Sequence, residues 1–222
     1  MRGLVLFDFD GTLADTAPDL AAAANKMRVR KGLAPLPYEA LRPLASQGAR
    51  GLLKAGFDMN PDDPGYETHR RQFLQDYEQD MTSLTTLFPG VARLLSTLKQ
   101  NDYAWGIVTN KVSYLALPIV RHLGLQTECA ITVGGDTASH PKPHPAPLLY
   151  AAAQTGFMPQ QCLYIGDDER DIIAGKAAGM PTIAAAYGYC GLSDVTQWDA
   201  DAIAYTPDEV WPAIQELYGR HG

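Results

Sequence analysis

No two cysteines in this chain stand close enough in sequence to clasp a metal or form a redox pair. The three present, Cys129, Cys162 and Cys190, are odd in number and scattered. A disulfide framework and a C-x-x-C site are therefore set aside, and the residues read as reduced, mostly buried thiols of a cytoplasmic protein. Basic residues are also in deficit: 18 Lys and Arg against 25 Asp and Glu give a net charge of -7. A general nucleic-acid binder carries a basic face, so that class is disfavoured. A small anionic substrate remains compatible, because there the field inside the cleft decides. No apolar run is long enough to cross a membrane. The first one is too short for a secretory signal and is followed at once by acids. Repeats and low-complexity segments are absent, and no G-x-G-x-x-G follows the first apolar run, which argues against a nucleotide-binding dehydrogenase.

What is present is an apolar content of 46% against 19% charged residues, enough for a packed core. Leu4 to Phe9 reads as a buried strand. Thr16-Ala17-Pro18-Asp19 opens a helix, with a hydroxyl cap, an early proline and an acid at the positive end; the helix runs to Gly32. From Tyr38 to Met81 the signals stay helical. After "LFPG" the rhythm changes to strands alternating with helices. Strands are expected in "YAWGIVTN", "CAITVGGD", "CLYIGDD", "PTIAAAYG" and "AIAY", and the last helix in "PDEVWPAIQELYG". That alternation implies a parallel sheet covered on both faces, an α/β core interrupted after its first strand by a helical insert. In such sheets the cleft lies at the carboxyl ends of the strands. Polar residues gather at those ends: Asp8 and Asp10, Thr109 and Asn110, Asp167 and Asp168.

Asp8 and Asp10 end the first strand, and Gly11 permits a sharp turn that lets both face one cleft. Two close carboxylates repel unless one is protonated or a cation lies between them. With Asp167 they make an oxygen-rich site of the sort Mg2+ prefers. Asp171, one helical turn after Asp167, suits a supporting role, holding a metal-bound water or a basic residue. Asp168 and Glu169 read as acids favoured by a helix N-terminus. Thr109-Asn110 can be read as an ordinary turn, and Lys142 as a surface lysine, although flanking prolines restrict where its ammonium goes. His140 and His144 are left outside the catalytic set.

Taken in order, "DFDGT", Thr109-Asn110 after "GIV", Lys142 in "PKP" and "GDDERD" resemble the four motifs of the haloacid dehalogenase superfamily of phosphohydrolases. The resemblance covers the whole chain and looks closest to the phosphoglycolate phosphatase group. "GDDERDI" and "YGY" also suggest the related N-acetylmuramic acid 6-phosphate phosphatases. Asp168 departs from the commoner pattern, in which Ser or Thr often stands there. The resemblance implies a Rossmann-like parallel-sheet core, residues 1–13 and 83–222, with a helical cap at 14–82 hinged near Ala14-Asp15 and Thr82-Leu87. It implies Asp8 as nucleophile and Asp10 as acid/base. It further implies Mg2+ on the Asp8 and Asp167 carboxylates and the Asp10 carbonyl. Thr109 and the Asn110 N–H would hold phosphoryl oxygens, and Lys142 would stabilise developing charge. The substrate would be a small phosphate ester, selected by the cap. "SQGARGLL" is the expected reading segment, with Arg50 as its donor fork; the alternative is that Arg50 is a solvated helix residue. A phosphosugar mutase and a non-catalytic protein on the same fold are the rival classes. A dehalogenase would need neither Asp10 nor Asp167. The sequence leaves monomer and homodimer equally open.

Overall fold

In the computed structural model, which describes residues 2–219, the sheet is built outward from β1 (Gly3–Phe7). Leu4, Val5, Leu6 and Phe7 have no exposure at all, as expected for the central strand of a parallel sheet. The chain continues through β2 (Ala14–Asp15) and the helices α1 (Ala17–Arg30), α2 (Tyr38–Leu41), α3 (Gly48–Phe57) and α4 (Tyr66–Asp80), then β3 (Thr86–Leu87). It goes on as α5 (Val91–Gln100), β4 (Tyr103–Val108), α6 (Ser113–His122), β5 (Thr132–Val133), α7 (Ala146–Thr155), β6 (Cys162–Gly166), α8 (Glu169–Ala177), β7 (Thr182–Ala185), β8 (Ala202–Ala204) and α9 (Pro207–Gly219).

The main sheet has the order β5-β4-β1-β6-β7-β8, with every pairing parallel. Strand order reverses at β1, which lies between β4 and β6, so a crevice opens at their carboxyl ends. The register fixes what meets there. Phe7 pairs with Ile107 on β4 and with Ile165 on β6. Asp8, Thr109 and Asp167 therefore emerge side by side just past the paired residues. Side chains alternate between two cores, as a period of two demands. Val5, Phe7, Trp105, Ile107, Leu163 and Ile165 enter one apolar cluster. Leu4, Leu6, Ala104, Val108, Cys162 and Tyr164 enter the other. α5 and α9 pack on the first face through Leu98 and Ile214, and the same apolar cluster continues into the insert at Phe73. α7 covers the second through Leu148 and Ala152.

Three details differ from the sequence reading. β1 ends at Phe7 rather than Phe9, because the Phe9 carbonyl accepts from the Leu13 and Ala14 N–H groups at 3.1 and 2.9 Å and folds the chain back. The strand expected in "CAITVGGD" shrinks to Thr132–Val133, since the Gly135 N–H turns to the Lys111 carbonyl at 2.9 Å. The two crossings into the helical insert also pair, as an antiparallel ribbon with Ala14 opposite Leu87 and Asp15 opposite Thr86. No helix among the described residues is long and apolar enough to cross a membrane.

Candidate active site

Asp8 is still on the ladder: its N–H donates to the Ile165 carbonyl at 2.8 Å. Gly11 then takes a φ of +85°. A Cβ there would meet Asp167 Oδ2 at 2.1 Å, so only glycine permits both the turn and the approach of the third acid. Carboxylate oxygens of Asp8, Asp167 and Asp171 lie within 4.8 Å of one another, all three residues buried. Lys142 Nζ lies 2.9 Å from Asp8 Oδ1 and 2.6 Å from Asp171 Oδ1. It also donates to the Tyr164 hydroxyl at 2.8 Å and the Val108 carbonyl at 3.1 Å. Lys142 is thus buried, at 4% exposure, and is no surface lysine. The Asn110 side chain anchors its loop, donating to the Lys142 carbonyl and accepting from the Lys142 N–H, both at 2.9 Å.

Three carboxylates around one ammonium leave a buried negative excess. Burial pushes the Asp167 carboxyl well above the usual range, and the charges of Asp8 and Asp171 add to the rise. Asp171 is pushed up to about 7, first by burial; Lys142 pulls it down, while Asp8 pushes it further up. Burial pulls Lys142 down, but Asp171 and Asp8 outweigh it, and the ammonium is held above its ordinary value. Asp8 Oδ1 is buried without an aligned hydrogen-bond donor; Lys142 is near it but off the hydrogen-bond direction. An all-oxygen set with surplus negative charge and an unsatisfied oxygen fits a hard divalent cation.

The Asp10 side chain lies outside that cluster. Its Oδ1 accepts from Lys111 Nζ at 2.7 Å and from the Thr16 hydroxyl. Thr16 therefore does not cap α1 with its side chain, contrary to the sequence reading. The Tyr189 hydroxyl caps the helix instead, accepting from the Thr16 and Ala17 N–H groups at 2.7 and 2.8 Å. Thr109 is buried, and its hydroxyl accepts from the Lys111 N–H at 3.1 Å. Sequence reasoning missed Lys111, although it directly follows the Thr109-Asn110 pair.

Asp167 is held from three directions. Its Oδ1 accepts from the Thr12 hydroxyl at 3.0 Å. Its Oδ2 accepts from the Tyr189 N–H at 2.9 Å and, from the insert, the Ser46 hydroxyl at 3.1 Å. Asp168 caps α8, as its helix-acid reading anticipates, and accepts the Arg170 N–H at 3.0 Å. It also holds the Arg170 guanidinium at 2.7 and 2.8 Å, and that group donates to the Ser46 carbonyl at 2.9 Å. Ser46, Arg170 and Tyr189 lie in the stretches "SQGARGLL", "GDDERD" and "YGY" singled out above, but nothing in those stretches marks these contacts. His140 and His144 are exposed and stack on each other, their ring centroids 4.5 Å apart. A cavity of about 340 Å³ joins Asp8, Asp10, Thr109 and Lys142 of the sheet side to Arg50, Tyr66 and Tyr77 of the insert. Arg50 is exposed on α3.

Residues 5–185 match the family model of the haloacid dehalogenase-like hydrolases. The chain belongs to this family. The hydrolase is 46% identical over 208 residues to a phosphoglycolate phosphatase of Xanthomonas campestris, covering 93% of this chain and 94% of the relative. It is 40% identical over 207 residues to an N-acetylmuramic acid 6-phosphate phosphatase of Pseudomonas aeruginosa, covering 93% and 92%. Among solved structures it resembles a predicted phosphoglycolate phosphatase from Haemophilus somnus, with a TM-score of 0.85 and 28% identity over 96% of this chain and 98% of that one.

Proposed function

We propose that this hydrolase cleaves phosphate monoesters through an aspartyl-phosphate on Asp8, with a small acid such as 2-phosphoglycolate as the ester. The observation that carries the reading is the buried Asp8, flanked by Lys142, Asp167 and Asp171, in a cavity that Asp10 also lines. An Asp8 oxygen attacks phosphorus as the ester P–O bond breaks, and Asp10 protonates the departing oxygen. Water then attacks the phosphoryl group, Asp10 takes its proton, and Asp8 is released. Lys142, fixed by the Asn110 clamp, steadies the charge that builds on the phosphoryl oxygens. Thr109 and the Asn110 N–H border the same space and are proposed to hold those oxygens.

Mg2+ would be held by the Asp8 and Asp167 carboxylates with the Asp10 backbone carbonyl. Asp171 orients Lys142 beside them. When bound, the ion supplies the positive charge that lets an anionic nucleophile approach an anionic ester. Residues 14–82 are proposed to act as a cap that gates water and faces the leaving group. Arg50 would meet the outer part of that group. With Cys129, Cys162 and Cys190 unpaired, the cytoplasm is the proposed compartment.

The likeness to the Pseudomonas protein favours N-acetylmuramic acid 6-phosphate as the second reading. Initial rates on 2-phosphoglycolate, N-acetylmuramic acid 6-phosphate and simple sugar phosphates, with Mg2+ and after chelation, test both. Turnover of none of them, nor of an aryl phosphate, would reject the phosphatase reading. Turnover led by the amino-sugar ester would select the second.

A further inference from the structure

One group on the insert side of the cavity is left unused by this chemistry. Tyr77, on α4, is 1% exposed. Its hydroxyl is buried with no aligned hydrogen-bond partner, the Lys111 ammonium being the polar group within its reach, and the residue lines the cavity. Burying a hydroxyl without an aligned partner is unfavourable, and Phe of nearly the same shape would avoid it. Beside it stands Lys111, whose Nζ lies 4.8 Å from the centroid of the Tyr77 ring. The Lys111 side chain is 8% exposed, and among the described residues its carboxylate partner is Asp10. An ammonium carries three N–H donors, and that contact engages one. Phe73, Leu74 and Leu115 supply apolar walls to the same space. A phenol and an ammonium thus meet in a dry setting, where a charge-assisted hydrogen bond is strong.

We infer that Tyr77 and Lys111 form a subsite for a carboxylate carried by the leaving group. The inference rests on the phosphatase reading and deepens it. Lys111 Nζ lies 2.7 Å from Asp10 Oδ1, and Asp10 is the group that protonates the ester oxygen. A carboxylate on Lys111 is therefore within about two hydrogen-bond lengths of that acid, roughly 6 Å. This reach fits the phosphate ester of a short α-hydroxy acid. A carboxylate across a sugar ring from its phosphate ester lies farther away and fits less well. Tyr77 binds and orients; it takes no proton and forms no bond to phosphorus.

The test is a matched pair of esters, 2-phosphoglycolate and 2-hydroxyethyl phosphate, which differ by a carboxylate in place of a hydroxymethyl group. The wild-type protein should prefer the acid in kcat/KM. Tyr77→Phe should narrow that preference by about 10- to 100-fold, the size of one charge-assisted hydrogen bond. The thermal midpoint should change little, since the ring keeps its packing and the hydroxyl makes no aligned hydrogen bond. Lys111→Met should narrow the same ratio, and also slow both esters through Asp10. Hydrolysis of both esters with no preference in the wild type would overturn the subsite while leaving the phosphatase intact. So would a preference that survives both substitutions. Failure to hydrolyse any ester, including an aryl phosphate, would overturn the phosphatase reading and the subsite with it.

Discussion

Replacing Tyr189 by Phe removes one oxygen and breaks three hydrogen bonds. That oxygen accepts from the Thr16 and Ala17 N–H groups and donates to Asp15 Oδ1 at 2.9 Å. Thr16 is 0% and Ala17 1% exposed, so water has no ready access to either freed donor. No side chain of α1's own N-terminus replaces the cap. Loss of a helix cap costs about 0.5–2 kcal/mol, and a buried donor without a partner about 1–3 kcal/mol. These effects overlap, so the sum is about 2–4 kcal/mol. In a chain of this length that lowers the melting temperature by roughly 5–12 °C. Thermal unfolding followed by circular dichroism of wild type and Tyr189→Phe checks the figure. The N–H that Tyr189 gives to Asp167 belongs to the main chain and survives the change. A shift below about 1 °C, outside the range that follows from the cap loss, would show that the Tyr189 hydroxyl does not hold the entry to the helical insert.

Further outcomes follow from the same geometry. Asp8→Asn should abolish turnover with the fold intact, because an amide is nearly isosteric but cannot attack phosphorus; full activity in the folded variant would remove Asp8 from the reaction. Asp10→Asn should slow esters with poor leaving groups more than aryl phosphates, and equal losses on both would deny it the acid role. Activity should require a divalent cation, with Mg2+ above the larger, more highly coordinated Ca2+; full rates after thorough chelation would contradict the metal assignment. Arg50→Ala should cost more kcat/KM on the natural ester than on an aryl phosphate, and less than Tyr77→Phe does, because Arg50 is exposed; no loss on either ester would make it a solvated helix residue. Burial raises the Asp76 carboxyl, but Arg30, the Gln72 hydrogen bond and Lys26 together outweigh burial and hold it below the usual range. A depressed folded value stabilises above the unfolded pKa of about 4. The gap in stability between wild type and Asp76→Asn should therefore be full near neutrality and close as pH falls through the folded value; a gap independent of pH would exclude the ion pair.

The parts of this molecule that sequence discloses are those set by local periodicity and by residues at strand ends. The apolar run from Leu4 to Phe9 reads as a buried strand, and the strand is there, ending two residues sooner at Phe7. The alternation after Pro89 could only be a parallel sheet, and the acids after β1 and β6 had to share a crevice once those strands were neighbours. Contacts between distant segments stayed hidden. Nothing near Tyr189 indicates that its hydroxyl caps a helix 172 residues earlier, and Ser46 carries no mark of its reach to Asp167. Thr16 misleads for a physical reason: a hydroxyl at a helix start usually caps it, but this one donates to the Asp10 carboxylate and is oriented toward it instead. Lys111 was within reach, since a cation directly after Thr109-Asn110 at a strand end must either leave the crevice or pair within it.

The proposed role of Asp8 is to carry the phosphoryl group. Acid quenching of the protein during steady turnover of 2-phosphoglycolate, borohydride reduction and peptide mass spectrometry test it directly. An acyl phosphate is reduced where a free carboxylate is not. Asp8 should be converted reductively to homoserine, in a substrate-dependent way and not in Asp8→Asn. Conversion at any other carboxylate, or sustained turnover with Asp8 unmodified throughout, would contradict it.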